Sequence, residues 1–457
     1  MEIMNTNNDS KVVGVIGAGP AGYAATIVAL KMGYRVEVID PWIFASSRVP
    51  SEEDSGLKAR FGSIEMHQYP AKYLKGFGSQ IVPASGVVGG YTTIWGAGLD
   101  FDTDSFLRDY TTDLITEAKK IVREIFHDFE GPHYVSKRFK KLLENPNNGF
   151  RMSQLAVKES RCTLTGECMK GCKKEAIWSA EEQWEKIVEN KVTLRKGFAR
   201  LISEDKSKVR VVIDCDTQEY HQEYDLLLVA CGAVASASLG QRSGYFPRLI
   251  EIGETSISYL PLLIAKGFKP FLETNFTLSQ IFYHKKTPKE DQNVWLSLFE
   301  ASEFLRQQAT IKLGRFARLV PKFIWGYIGV AINYTPENFS NKILLKHQDN
   351  ISIVTNKKNS KSDKIYLKKL FNYTKKDFFL NGLLFHPKVR LRSKPAGSYH
   401  LGHLTKNGTD LLDVRGRSFP ESRIAFVDSL SLPKLPSGPI TAIAMMNACL
   451  KTELHLS

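Results

Sequence analysis

The chain has 457 residues, 43% of them hydrophobic and 24% charged, which suits a folded protein with room for two domains and a large core. Sixty-two Lys and Arg against 48 Asp and Glu leave a net charge of +14, which can attract nucleic acid, anionic lipid or an anionic substrate. No nucleic-acid module is recognisable, so no nucleic-acid partner is expected, and no stretch reaches the roughly 18 apolar residues needed to cross a bilayer.

Residues 1–10 are polar and resemble neither a signal nor a transit peptide; they read as a flexible lead-in. Lys11–Ile16 is an apolar run and predicts a strand, Pro20–Gly33 has helical periodicity, and Arg35–Asp40 predicts a second strand. Between the first strand and the helix stands Gly17-Ala18-Gly19-Pro20-Ala21-Gly22, a G-x-G-x-x-G turn. In such a unit Gly17 permits the tight turn, Gly19 lets the backbone approach a pyrophosphate, and Gly22 lets helix and strand pack closely. The helix N-terminus, opened by Pro20 and Ala21, then presents backbone N–H groups to the phosphates. Asp40 ends the next strand 18 residues after Gly22, placed to accept hydrogen bonds from adenosine ribose hydroxyls. The motif alone does not separate FAD from NAD.

Val192–Ile202 and Val209–Cys215 alternate like antiparallel strands, and Asp225–Gly232 predicts a buried strand ending at glycine. From Phe246 to Lys394 the pattern becomes amphipathic and aromatic with basic loops, predicting a helix at Trp295–Gln308 and a strand at Ile351–Thr355. Phe323–Ile332, flanked by Arg315, Arg318 and Lys322, is too short to span a membrane. It reads as a core strand, with an interfacial placement as the alternative. The last block predicts a strand at Arg423–Val427 and a helix from about Pro439 to Leu454.

Six cysteines do not form a secreted disulfide pattern, and a cytoplasmic location, with membrane association as an alternative, is the expectation. Cys162, Cys168 and Cys172 resemble part of a bacterial ferredoxin run in which Thr165 takes the second cysteine position. Three thiolates without the fourth favour a loop retained for packing over a metal or iron–sulfur site.

Three distal segments resemble the glucose–methanol–choline (GMC) family of FAD-dependent oxidoreductases. Ser85–Gly98, SGVVGGYTTIWGAG, is similar to that family's glycine-rich stretch along the flavin. Leu226–Leu239, LLLVACGAVASASL, resembles its second signature, ending a strand at Gly232 near the pyrophosphate. Gly397–His400 and Arg423–Ala448 resemble its closing segment. The resemblance covers the first 110 residues, about Val192–Leu239 and the last 60, and does not extend clearly into Phe246–Lys394. It implies an α/β fold: a discontinuous Rossmann-like FAD-binding domain (11–110, 190–245 and 395–457) plus an α+β substrate domain with an antiparallel sheet (111–189 and 246–394).

By the same resemblance, Gly89, Gly90, Thr92, Trp95, Gly96, Asp428, Gly438, Pro439, Ile440 and Thr441 would surround the cofactor, with the last helix aimed at the pyrimidine side of the flavin. His400 matches the family's catalytic histidine, with His403 competing, and histidine suits the base role because its ordinary pKa lies near 6.5. Many members carry a second His or Asn where this chain has Ser437-Gly438-Pro439. Either His400 acts alone, or a residue from the unassigned block completes the site, or the chemistry differs.

The implied activity is hydride transfer between the flavin and a CH–OH group of a sugar, polyol or glycoconjugate, with the electron acceptor undefined. Two alternatives stay open. One is a flavin-dependent reductase of a lipid or isoprenoid in peripheral contact with a membrane, suggested by the aromatic, basic Arg315–Tyr334. The other is a non-catalytic flavin-binding partner subunit, suggested by the absent second base.

Overall fold

A computed structural model describes residues 11–42, 70–78, 82–103, 106, 108–129, 134–145, 147–166, 168, 172, 174–187, 192–216, 218–265, 276–286, 293–300, 302, 306, 321–349, 351–357, 360–386, 390–393 and 397–457. Residues 1–10, Arg315, Arg318 and Pro395 lie outside the described residues.

The expected strand–turn–helix–strand unit is Val12–Ile16, Pro20–Lys31 and Arg35–Asp40. It lies at the centre of a five-stranded parallel sheet, ordered Ile424–Phe426, Leu226–Val229, Val12–Ile16, Arg35–Asp40 and Val192–Lys196. The strands come from the three expected sequence blocks. Their apolar runs are nearly continuous because both faces are buried: Val13, Val15, Val36, Val38 and Leu228 face one core, Ile16, Ile39, Leu227 and Val229 another. On the first side pack Pro20–Lys31, Thr112–Phe126 and the closing helix Thr441–Leu456. The second side is covered by helix Ala233–Arg242, a three-stranded meander (Phe198–Glu204, Val209–Cys215, Gln218–Tyr224) and a six-stranded sheet that includes Leu249–Glu254, Lys342–Gln348 and Leu401–Lys406.

A larger antiparallel sheet runs Leu383–Leu384, Ile257–Ile264, Ile328–Tyr334, Val294–Glu300, Ile281–Lys285 and Phe150–Met152, with Leu391–Arg392 also pairing with Ile257–Ile264. Helix Ser360–Leu380 covers one face through Tyr366, Leu367, Leu370 and Phe378. The architecture is α/β, a Rossmann-like unit joined to an antiparallel substrate-side sheet.

Several local expectations need correction. Val192–Ile202 is two strands, not one. Val192–Lys196 extends the parallel sheet and Phe198–Glu204 opens the meander. Gly197 stands between them, where a Cβ would meet Ile213 Cγ2 at 2.3 Å. Within the expected helix Trp295–Gln308, the described residues up to Glu300 form part of an interior strand, Val294–Glu300. Six of its seven residues are buried, so it shows no two-residue alternation, and periodicity cannot tell such a run from a helix. Within Phe323–Ile332 the strand begins only at Ile328, after a turn of helix at Lys322–Trp325, and it pairs on both sides within the sheet. The closing helix starts at Thr441, two residues after Pro439. Residues 111–189 divide between cores: Thr112–Phe126, Trp178 and Trp184 pack with the parallel sheet, and Phe139 and Phe150 with the large antiparallel one. Among the described residues, no helix is long and apolar enough to cross a membrane.

Candidate dinucleotide and substrate site

The three glycines of the opening turn have different surroundings. Gly17 has φ +108°, and a Cβ there would lie 2.5 Å from the Ala230 carbonyl oxygen. A Cβ on Gly22 would lie 2.0 Å from the Gly17 carbonyl oxygen. These two positions are closed by backbone, whereas a Cβ on Gly19 would meet nothing within 4 Å. Gly19 is also the N-cap of the first helix, which has Pro20 at its start, no side-chain cap and no acidic residue in its first turn. The turn is therefore shaped by Gly17 and Gly22, and it leaves open backbone and a helix N-terminus where an anion can sit. Ala21 is buried in the helix.

Asp40 ends its strand at this turn. Its Oδ2 accepts from the Ala18 N–H at 2.9 Å and its Oδ1 from the Trp42 N–H at 2.9 Å. Burial raises its pKa to about 6, against the opposing effect of the two backbone donors. Each oxygen keeps a lone pair for a further donor such as a ribose hydroxyl.

The second glycine stretch lies on the first. The Gly89 N–H donates to the Ala18 carbonyl at 3.1 Å, and a Cβ on Gly90 would sit 3.7 Å from Gly19 Cα. Gly96 is open, with nothing within 4 Å. Thr92 and Trp95, expected among the cofactor contacts, have structural roles. The Thr92 hydroxyl donates to the Gly89 carbonyl at 2.5 Å and accepts from the Ala180 N–H at 3.1 Å, clipping the loop in shape. The Trp95 indole donates to the Trp178 carbonyl at 2.9 Å, and its ring packs against Phe126 and Trp178.

Gly232 has φ +90° and again nothing within 4 Å of a Cβ. Asp428 reaches it across the sheet. Its Oδ2 accepts from the Gly232 N–H at 2.8 Å and the Ser236 hydroxyl at 2.5 Å, and its Oδ1 from the Leu430 N–H at 2.9 Å. Burial raises its pKa to about 6. Three local donors make Asp428 a tie between two turns. Asn447 secures the same turn from the closing helix, donating to the Asp428 carbonyl at 2.9 Å. That helix starts after Pro439 and Ile440 with no side-chain cap, leaving the Thr441 end open as a second positive pole. Pro439 touches the second glycine stretch, since a Cβ on Gly98 would lie 3.0 Å from Pro439 Cγ.

His400 sits where the six-stranded sheet meets this closing segment. The Thr255 N–H donates to the His400 carbonyl at 2.9 Å, and the Thr255 hydroxyl donates to the Pro436 carbonyl at 2.9 Å. Thr255 thus fixes His400 beside residues 436–438. The imidazole stacks on Tyr334 with centroids 5.2 Å apart. Burial lowers its pKa to about 4, partly offset by the Gly438 backbone, so the ring is neutral at pH 7. Its Nδ1 is closed to solvent and has no hydrogen-bond partner among the described residues. An orphaned buried polar atom in a site calls for an occupant. Tyr399, the preceding residue, has φ +56°, a strained backbone conformation at this position.

His403 is disqualified as the base by its partners. Nδ1 lies 2.7 Å from Glu337 Oε1 and Nε2 lies 2.9 Å from Asp410 Oδ1. The two carboxylates raise its pKa against the effect of burial. Both nitrogens are committed and the two carboxylates favour the charged ring, so His403 pins the strand edge to Glu337, whose Oε2 also accepts from the Leu435 N–H at 3.1 Å.

Sequence reasoning missed Asp100, Tyr334 and Trp295. Asp100 is buried, and Trp295 stacks on Phe282 at 4.3 Å. Trp295 was hidden by the mistaken helix. Asp100, two residues after the glycine stretch, carried a signal only in being an acidic residue beside an expected flavin loop.

Cys162, Cys168 and Cys172 are free thiols packed against the core, and Cys168 has a raised pKa from burial, with smaller contributions from the other two sulfurs. Among the described residues no group of three or more His, Cys, Asp or Glu side chains is arranged to hold a metal ion.

The fold and the site together define an α/β chain with a Rossmann-like dinucleotide cradle and an α+β substrate side. No protein-family model and no curated protein sequence matches the chain. Among solved structures it is similar to pyridoxine 4-oxidase from Mesorbium loti, with a TM-score of 0.59 and 13% identity over 97% of this chain and 99% of that one. The likeness extends over the whole length and shows the shared fold.

Proposed function

We propose that the chain is an FAD-dependent oxidoreductase acting on a CH–OH group, with His400 as the base. The observation that carries this reading is the neutral, buried imidazole of His400 beside Gly438, whose Nδ1 has no hydrogen-bond partner among the described residues. FAD fits the residues present. Gly19, Gly96 and Gly232 offer backbone with open space above it, Asp40 keeps acceptor capacity, and two helix N-termini lack caps. When bound, FAD supplies the two-electron acceptor for the substrate hydride.

The protein's own residues do the rest. The alcohol's O–H proton passes to the imidazole of His400, which is unprotonated at neutral pH and needs no prior deprotonation. The stacked Tyr334 ring and the Thr255 hydrogen bonds hold that imidazole in place. The aromatic rings near the base, Trp295 beside Gly438 and Tyr334 on His400, suit the flat apolar face of a sugar ring, which favours a sugar, polyol or glycoconjugate substrate. The pyridoxine 4-oxidase of the same fold is an oxidase by name, which agrees with this reaction type.

The test is an anaerobic screen of alcohols and sugars against the FAD-loaded chain, followed by loss of flavin absorbance. A substrate should bleach the wild type, and His400→Ala should keep FAD but react about 100- to 10,000-fold more slowly. Full-rate reduction of the alanine variant would overturn the assignment.

A further inference from the structure

Resting on that reading, we propose that one corner of the large antiparallel sheet docks on an anionic bilayer. The sheet face running from this corner to His400 takes the apolar chain of the substrate, which is then a lipid-linked glycoconjugate. The corner is where strand Ile257–Ile264 ends. There Leu263 pairs with Leu384, and the Ala265 N–H donates to the Gly382 carbonyl at 2.8 Å. The Gly382 N–H donates in turn to the Phe379 carbonyl at 3.0 Å, which ties the end of helix Ser360–Leu380 to the same corner. Large apolar side chains stand in water along this short stretch of paired backbone: Phe379 is 69% exposed, Leu380 60%, Leu263 45% and Leu384 41%. A single exposed leucine is ordinary on a protein surface, whereas a contiguous apolar group marks a contact site.

The charges beside this group indicate what it contacts. Lys375 and Lys376 are exposed, and each stands four residues before Phe379 or Leu380, as its neighbour on the helix surface. Asp377 does not offset them, because it is engaged by the Lys285 ammonium at 2.9 Å and the Tyr283 hydroxyl at 2.6 Å. Apolar side chains flanked by ammonium groups fit a bilayer with anionic headgroups: the side chains enter the acyl boundary and the lysines meet the phosphates. A second copy of the chain would instead bring the same lysines, and a further net charge of +14, against them.

Strand register carries the apolar surface inward. Tyr334, Ile332, Val330 and Ile328 lie opposite Ile257, Tyr259, Pro261 and Leu263, and alternation puts them all on one face. The other face, through Leu260, Leu262, Ile264 and Ala331, is buried with helix Ser360–Leu380. None of the residues on the first face is charged or fully buried, and Pro261 and Leu263 are exposed. Leu391, paired with Tyr259, is exposed as well. The strip is about 20 Å long at strand spacing. Its outer end is Leu263, at the docking corner. Its inner end is Tyr334, whose ring stacks on His400 with centroids 5.2 Å apart. An acyl or isoprenoid chain lying on the strip covers apolar side chains and leaves its hydroxylated head group at the imidazole.

The test floats full-length, FAD-loaded protein with vesicles of phosphatidylcholine, alone or with about a third phosphatidylserine. The wild type should float with the anionic vesicles only, and added salt should release part of it. Phe379→Ser with Leu380→Ser, and Lys375→Glu with Lys376→Glu, should each weaken anionic-vesicle binding at least about 10-fold and leave FAD content unchanged. Flavin absorbance reads the strip without turnover. Octyl β-D-glucoside, below its micelle concentration, and methyl β-D-glucoside share a head group. The octyl compound should perturb the bound flavin at a concentration at least about 10-fold lower. Val330→Asp should erase that advantage. A wild type that ignores anionic vesicles, a double variant that binds them as tightly, or an equal or absent response to the two glucosides overturns the proposal. So does a dimer that the double variants lose while no form binds vesicles, which would make a second copy the occupant. Vesicle binding that depends on these residues, with no free or vesicle-borne alcohol reducing the flavin, upholds the docking and sinks the oxidoreductase reading instead.

Discussion

Replacing Gly19 by alanine should separate folding from cofactor binding. The backbone at Gly19 has φ −81° and ψ −177°, which any residue adopts, and an added Cβ meets nothing within 4 Å. The apoprotein should therefore keep its stability to within about 0.5 kcal/mol, as for a substitution away from packed contacts. If the space above Gly19 belongs to a pyrophosphate, the methyl group holds the anion off the helix N-terminus and costs one charge-assisted hydrogen bond. That is about 1.5–3 kcal/mol, or roughly 10- to 100-fold in FAD affinity. Gly22→Ala is the contrasting control. Its Cβ would lie 2.0 Å from the Gly17 carbonyl oxygen, a backbone atom that cannot move without distorting the turn. It should lower stability by at least about 1–3 kcal/mol, the usual cost of overpacking. Urea midpoints of the apoproteins and FAD titrations followed by quenching of flavin fluorescence measure both quantities. A Gly19→Ala protein that binds FAD as tightly as the wild type would refute the reasoning, as would equal stability losses in the two variants.

Thr92→Val removes two hydrogen bonds that clip the second glycine loop and should cost roughly 1–3 kcal/mol in the apoprotein, measured by the shift in urea midpoint. A variant with unaltered stability and weakened FAD binding would instead make Thr92 a direct contact. His403→Gln should destabilise the fold by roughly 1–3 kcal/mol, and the effect should depend on pH. The folded-state pKa of His403 is raised, so its contribution is fully present below the unfolded value near 6.5 and fades as pH rises through the folded value. The gap between wild type and variant should then narrow toward alkaline pH, and a gap that widens would contradict the assignment. Replacing Cys162, Cys168 and Cys172 together with serine should leave FAD content and reduction rate unchanged. Near-stoichiometric iron in anaerobically purified wild type would overturn that expectation.

The opening unit was legible because its chemistry is local. Strand, turn and helix are adjacent in sequence, and Gly17, Gly19 and Gly22 each answer a backbone requirement that the structure displays. The discontinuous parallel sheet followed from three apolar runs, each ending near glycine or aspartate. What stayed hidden depends on the chain meeting itself at long range. Asp428 carries the right residue type at the right turn, yet its oxygens bind Gly232, Ser236 and Leu430, which only the assembled sheet brings together. His403 resembles His400 in sequence and differs from it only through Glu337 and Asp410. Trp295 was lost because a strand buried on both faces has no period to read. Asp100 and Gly438 meet only in the folded chain, where a Cβ at 438 would lie 2.8 Å from Asp100 Oδ2.

The central claim is that the open glycines at 19, 96 and 232 and the uncapped helix ends form one FAD site. It is tested most directly by the colour and cofactor content of the purified full-length chain. The account predicts a yellow protein that releases close to one FAD per chain on denaturation, or takes it up when it is supplied. A colourless chain that ignores FAD and binds NAD, or neither, would contradict it.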